Sequence, residues 1–257
     1  MKMIPDLMWN EIENLIPKRK SKVGRPETSA KLILNGIAFV LKTGIQWRYL
    51  PKEFGPPSTV HGRFRKWIKM GVFKKIMEKA NEFYCNRQNT FIWFSSDTSH
   101  CKAPLANKWG GRNPTDRGKN GVKKSLIVDI RGAPLAVHVG PSNKHDSTFF
   151  EETFNRLQLP KYDGARIMAA DAAYDCQKLR DFCKKRNFAL LAATNVRRSK
   201  KKIKYSSPRR WVVERTFGWL AWYRSLKICW TRTKHSFLAF FSLAASVHLF
   251  KMEGVFV

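Results

Sequence analysis

VKKSLIVDIRGAPLAVHV, residues 122–139, decides the fold of this chain. Two apolar runs, VKKSLIVDI and APLAVHV, are joined through Arg131-Gly132, and that pattern reads as a β-hairpin. On its N-terminal side, FIWFSSD (91–97) has the look of a short buried strand. On its C-terminal side, Thr148 and Glu151 have the spacing of a capping box that opens a helix in FFEETFNRL. ARIMAAD (165–171) and FALLAAT are further buried strands, separated by the amphipathic helical stretch CQKLRDFCKKRN. A helix through WVVERTFGWL follows, and FLAFFSLAASVHLF (237–250) is an apolar closing helix. Three strands, helix, strand, helix, strand, helix is the order of an α/β fold.

The first part of the chain has a different period. MWNEIENLI is a short amphipathic helix, KRKSKVGRP a basic linker, and SAKLILNGIAFVLKTG a helix that ends at Gly44. WRYLPKEFGPPS reads as a loop, after which Ser58-Thr59 opens a basic helix over TVHGRFRKWIKMGVFKKIMEKANEFY. Helix, turn, basic helix outlines a helix-turn-helix. The expected division is therefore 1–88, a helical DNA-binding region with Arg63, Arg65 and Lys66 toward DNA, and 89–257, an α/β domain.

The 257 residues are 43% hydrophobic, enough to bury a core, and carry a formal net charge of +30. A compact chain with that charge calls for a polyanionic partner, and nucleic acid is the natural one. Residues 237–250 form the longest apolar run and are too short to span a bilayer, so no membrane partner is expected. The N-terminus carries acids and a proline and does not resemble a signal peptide. Five scattered cysteines without a CxxC pair point to reduced thiols in the cytoplasm, and zinc is not expected.

One acid is out of place in this basic field. Residues 182–252 hold 17 Lys or Arg and a single carboxylate, Glu214. Two strands end in acids, Asp97 and Asp171, where α/β folds place reactive groups. Three acids held together repel unless cations join them, and hard cations with oxygen ligands, Mg²⁺ or Mn²⁺, suit such a set. Two ions about 3.5–4 Å apart would stabilise both the attacking and the leaving oxygen of a phosphoryl transfer. Glu214, Gly218, Ala221 and Ser225 fall on one helical stripe of small residues, which leaves room for a close approach.

Asp97 in SSDTSHCKAP, Asp171 in AADAAYD and Glu214 in RRWVVERTFGWL resemble the catalytic triad of DDE transposases from bacterial insertion sequences, nearest to the insertion-sequence-five family. The intervals are 74 and 43 residues. DRGKNGVKKSLIVDIRGAPLAV, NKHDSTFF and TGIQWRYLPKEFGPPSTVHGRFRKW are also similar to that family, so the resemblance covers nearly the whole chain. It implies a ribonuclease-H-like core, a mixed sheet flanked by helices, after a helical N-terminal region. It implies that Asp97, Asp171 and Glu214 are catalytic and hold two divalent ions per active site. The activity implied is hydrolysis at the inverted-repeat ends of a transposon, then attack of the freed 3′-hydroxyl on target DNA. Partners would be double-stranded DNA and a second copy of the chain on that DNA; the location would be the bacterial cytoplasm, at the nucleoid. Many relatives place a Tyr and a Lys around the glutamate where this chain has Ser207 and Ala221; Tyr205, Lys204 and Arg224 are the candidates to stand in.

Other residues compete with or extend this set. Asp175 is a rival ligand, better read as an N-cap of the next helix. Asp129 is either a site residue or an edge or turn residue. His100 and His145 read as surface or loop histidines. Arg210 and Arg215 flank Glu214; the resemblance implies that Arg210 contacts a phosphate near the cut, and a solvated helix face is the alternative. The run Arg197, Arg198, Lys200, Lys201, Lys202 and Lys204 reads as a loop following the DNA backbone. Trp219, Trp222 and Trp230 are expected to pack in the core rather than stack on a base. Two rival readings are an inactive or repurposed transposase that only binds DNA, and a basic RNA-binding protein; the three acids speak against both.

Overall fold

The computed structural model describes residues 3–17, 27–88, 91–193 and 209–254. Nine α-helices and six strands occur among them in the order α1 (Asp6–Ile12), α2 (Ala30–Thr43), α3 (Pro57–Lys69), α4 (Val72–Cys85), β1 (Trp93–Lys102), β2 (Gly111–Arg112), β3 (Asn120–Asp129), β4 (Pro134–Pro141), α5 (Ser147–Phe154), β5 (Arg166–Ala170), α6 (Gln177–Lys184), β6 (Phe188–Ala192), α7 (Trp211–Leu220), α8 (Arg224–Lys227) and α9 (Lys234–Met252).

One mixed sheet organises the chain. β3 and β4 form the hairpin expected of residues 122–139, and β1 pairs antiparallel with the other edge of β3. β5 pairs parallel with β1, and β6 parallel with β5. The ladder β4-β3-β1-β5-β6, three antiparallel strands followed by two parallel ones, is the mixed sheet of a ribonuclease-H-like core. The short β2 extends it where Gly111 and Arg112 meet Gly121 and Asn120. The hairpin turns at Gly132, whose φ of 89° is a left-handed conformation that glycine adopts without a Cβ penalty.

Helices cover both faces. Strand residues alternate, so Asp97 and Ser99 face α7 and α8 while Ser96 and Thr98 face α5. The apolar α9 lies against β4 and packs with α4, with Phe83 and Phe250 rings 4.4 Å apart. One continuous apolar cluster runs from Ile4 to Phe250, so the helical N-terminal region and the sheet share a core. No described helix is long and apolar enough to cross a membrane.

Several local expectations shift for identifiable reasons. The basic helix from residue 58 is two helices, because Gly71 adopts a left-handed conformation, φ 70°, between α3 and α4. The first helix starts at Asp6 and tightens into a 3-10 turn at Glu13–Leu15. The loop 47–58 contains two 3-10 turns, Trp47–Tyr49 and Lys52–Phe54. α5 begins at Ser147 without the Thr148–Glu151 capping box; the Thr148 hydroxyl donates to the His145 carbonyl instead.

Candidate active site

The site lies where β1 and β5 part. Their parallel register pairs Trp93 with Ile167, Phe94 with Met168 and Ser95 with Ala169. Extended by two positions, it sets Asp97 level with Asp171, the residue immediately after β5. Asp97 is in the middle of β1, not at its end as the sequence suggested; what ends nearby is the pairing with β5. Asp171 begins a 3-10 turn, and its Oδ1 accepts a hydrogen bond from the Ala173 N–H at 2.9 Å. Asp97 Oδ1 accepts from the Thr98 N–H at 2.7 Å.

Glu214 stands in the first turn of α7, where the helix dipole favours a negative charge. α7 reaches β1 through the residue before its N-cap: Ser95 Oγ donates to the Arg209 carbonyl at 3.4 Å. Arg210 then joins two of the acids. Its Nη1 is 2.8 Å from Glu214 Oε1 and 3.7 Å from Asp97 Oδ2. The Glu214 side chain is 49% exposed and that of Asp97 17%. Burial pushes the Asp97 carboxyl up to about 6; the negative charges of Asp171 and Glu214 push the same way, against the Thr98 N–H and Arg210.

This like-charge cluster is an oxygen-only donor set, and its chemistry fits a hard divalent cation. In the arrangement described, the Arg210 guanidinium supplies the positive charge between Asp97 and Glu214. Among the described residues no three His, Cys, Asp or Glu side chains close around a single point.

Other candidates fall elsewhere. Asp175 is not an N-cap: Cys176 holds that position, and the Asp175 carboxylate pairs with Arg180 at 2.5 Å. Asp129 ends β3, buried, and accepts from Tyr84 Oη at 2.6 Å and from the N–H groups of Arg131 and Ala133. His100 Nδ1 is 3.1 Å from Ser142 Oγ, and His145 is exposed beside Ser147. The small-residue stripe does not continue: α7 ends at Leu220, and Ser225 is buried on α8, donating to the Val40 carbonyl at 2.8 Å. At Gly218 the space beside the helix is open.

Arg215 is held within the fold. It lies over the rings of Trp211 and Trp219 and donates to the Arg131 carbonyl at 2.8 Å. Arg63 pairs with Glu27, while Arg65 and Lys66 are exposed on α3. Arg197, Arg198, Lys200, Lys201, Lys202, Lys204, Tyr205 and Ser207 lie outside the described residues. Core packing was expected of Trp222 and Trp230, but they are 81% and 54% exposed. Continued helical spacing would place Trp222 with Trp211 and Gly218 on the exposed face of α7, so the periodicity itself opposes core packing there.

Sequence reading missed the contacts of four side chains, Lys123, Lys124, Thr98 and Asp146. Lys123 and Lys124, adjacent in β3, are both buried, one on each side of the sheet. Lys124 Nζ donates to the Leu226 carbonyl at 3.0 Å, and Lys123 Nζ to Asp146 Oδ1 at 2.7 Å. Thr98 Oγ1 donates to the same Asp146 oxygen at 2.5 Å. Two lysines within an apolar strand were the available signal.

A sheet of this order is that of a ribonuclease-H-like core, and comparison with known proteins narrows the class to transposases. Residues 94–249 match the family model "Transposase DDE domain". The chain belongs to that family. Residues 4–77 match a second model, described as "Putative transposase of IS4/5 family". A "Putative transposase for insertion sequence element IS402" of Burkholderia cepacia is 30% identical over 151 residues, 53% of this chain and 68% of the relative. An uncharacterized 16.2 kDa protein of insertion element IS402 from the same organism is 42% identical over 82 residues, 30% of this chain and 56% of the relative. The chain thus spans between about half and two thirds of these relatives' lengths. Among solved structures, a piggyBac transposase synaptic complex with hairpin DNA aligns over 98% of this chain and 73% of its own, at 10% identity and TM-score 0.47. A Mos1 mariner paired end complex with Mn aligns over 93% and 83%, at 11% identity and TM-score 0.30.

Proposed function

We propose that this chain cuts and joins DNA at the inverted-repeat ends of an insertion sequence, using Asp97, Asp171 and Glu214 to hold two divalent ions. The observation that carries the reading is the register that levels Asp97 with Asp171, together with the single arginine that ties Asp97 to Glu214. Bound Mg²⁺ or Mn²⁺ would supply the Lewis acidity that activates water, and later a 3′-hydroxyl, for attack on a phosphodiester.

The remaining work belongs to the chain's own groups. Asp97 and Asp171 accept from backbone N–H groups where the two inner strands β1 and β5 part, so their oxygens are preorganised. Glu214 is half exposed on its helix and faces the side from which DNA would arrive. Arg210, released from the carboxylates once cations occupy their place, would turn to a phosphate beside the cut. Arg65 and Lys66 on α3 would contact the DNA backbone, and so would the run Arg197–Lys204; such contacts position the duplex without reading its sequence.

On this reading residues 1–88 bind DNA and 89–257 do the chemistry, although the two share one core. Two transposon ends must be held together, so the working unit on DNA is a homodimer acting at the bacterial nucleoid.

The test is cleavage of a labelled duplex carrying the flanking inverted repeat, in Mg²⁺ or Mn²⁺, with wild type and Glu214→Gln. Wild type should nick the end and yield joined products, while the variant binds but does neither. If both bind and neither cuts, even in Mn²⁺ on a verified end sequence, the chain is a DNA-binding descendant without catalysis. Equal cutting by both would remove Glu214 from the site.

A further inference from the structure

β1 loses a neighbour just where Asp97 sits. At Phe94 and Ser95 the strand is paired on both edges, with β3 and with β5; from Ser96 to Cys101 only β3 remains. A strand with one free edge has less to fix its backbone. At Thr98 a side-chain tie takes the place of the missing strand: its hydroxyl donates to Asp146 Oδ1 at 2.5 Å.

Asp146 occupies the N-cap position of α5, yet its carboxylate caps nothing. An Asp at that position ordinarily accepts from the first-turn N–H groups and stabilises the helix. Here Oδ1 is turned toward the sheet, to Thr98 and to Lys123 Nζ at 2.7 Å. Lys123 is 6% exposed and also donates to the Lys144 carbonyl at 2.8 Å. Burial pushes the Asp146 carboxyl up, but hydrogen bonds from Lys123 and Thr98 outweigh it and hold the group below its ordinary range. Buried ion pairs contribute little net stability compared with apolar side chains of the same size. Their use as a geometric device explains this one better.

The next link runs along the backbone. Thr98 N–H donates to Asp97 Oδ1 at 2.7 Å, while Asp97 Oδ2 is the oxygen toward Arg210. The chain of contacts is therefore Lys123, Asp146, Thr98, Asp97, passing from the α5 face of the sheet to the α7 face.

We propose that Asp146 is a positioning residue: paired with Lys123, it clamps Thr98 so that the Thr98 N–H fixes one oxygen of Asp97 and presents the other to the site. This rests on the reading of Asp97 as a metal-holding acid. Partners that orient a ligand from behind matter for affinity, and their loss typically weakens metal binding or activity by about 10- to 100-fold.

The experiment follows the thermal melting of the full-length chain against Mn²⁺ concentration, and in parallel its cleavage of the inverted-repeat duplex. Thr98→Val removes only the hydroxyl and leaves Lys123 and Asp146 paired, so it is the variant least exposed to misfolding; Asp146→Asn, Thr98→Ser, Asp97→Asn and the double variant accompany it. The metal-free melting temperature reports folding. Thr98→Val and Asp146→Asn should each need roughly ten-fold or more Mn²⁺ for half of the melting shift. Thr98→Ser should behave like wild type, and the double variant should be no worse than the poorer single one, because both cut the same link. If Asp97→Asn abolishes the Mn²⁺ response while Thr98→Val titrates like wild type, the clamp is wrong and the metal site stands. If Asp97→Asn responds like wild type, the metal reading itself fails and takes the clamp with it.

Discussion

The hydroxyl of Thr216 donates to the carbonyl of Gly132 at 2.8 Å, across 84 residues of sequence. The helix that carries Glu214 therefore rests on the turn of the β3–β4 hairpin, and Arg215 adds a second tie to the Arg131 carbonyl. Gly132 leaves no room for more: a Cβ there would lie 2.8 Å from Thr216 Oγ1, at a φ of 89°. Thr216→Val strands a buried carbonyl, which costs roughly 1–3 kcal/mol. Gly132→Ala should destabilise at least as much, through strain and contact together. Urea denaturation of both variants checks this, and both should also lose cleavage because Glu214 shifts with its helix. A Gly132→Ala chain as stable as wild type would show that the turn does not set the depth of α7.

The same turn is tied to the N-terminal region. Tyr84 on α4 donates to the buried Asp129 carboxylate at 2.6 Å. Burial raises the Asp129 carboxyl, and the bonds from Tyr84, Ala133 and Arg131 oppose that rise. Removing the hydroxyl in Tyr84→Phe leaves Asp129 with two backbone donors. The expected loss is about 1.5–3 kcal/mol, as for hydrogen bonds to charged groups. Calorimetry on Tyr84→Phe and Asp129→Asn should show non-additive effects, since the two residues share one bond.

Arg210 gives a prediction about salt. If it exchanges its carboxylates for a DNA phosphate, Arg210→Ala removes one phosphate contact. The slope of log K against log salt should then fall in magnitude by about 1, with weaker binding to all sequences alike. Binding isotherms at several salt concentrations decide it, and an unchanged slope would leave Arg210 as a partner of Asp97 and Glu214 alone.

His248 sets a limit on acid stability. Its ring packs on Trp219 at 5.0 Å between centroids, and its Nε2 is buried without a hydrogen-bond partner. Burial, helped by the charge of Lys251, lowers its pKa from 6.5 to about 4. Above pH 6.5 the histidine is neutral in both folded and unfolded chains and contributes no pH dependence. Between 6.5 and about 4 the unfolded chain takes up a proton that the folded chain refuses, so stability falls as the pH drops, by up to about 3 kcal/mol. His248→Phe should flatten that part of the curve in melts run from pH 7 to pH 4.

The sequence by itself determined the fold class, and it did so through local signals. The hairpin over 122–139, the apolar strands at 93–97 and 166–170, and the Gly44 stop of α2 are all written in short-range patterns that backbone geometry must obey. The three acids were also legible, because strongly basic surroundings make a lone Glu214 conspicuous. Tertiary structure alone decided how those acids are disposed. The parallel register of β1 and β5, extended two positions past its last pair, sets residues 97 and 171 level, a relation between distant segments that no local pattern encodes. It likewise turned Asp146 from a helix cap into a partner of Lys123 and Thr98, because a buried lysine competes for a carboxylate more strongly than first-turn N–H groups do. It left Trp222, which composition alone would bury, exposed just beyond the end of α7 at Leu220. Periodicity fixes which face a residue occupies within its own element; what that face meets is fixed only when the elements pack.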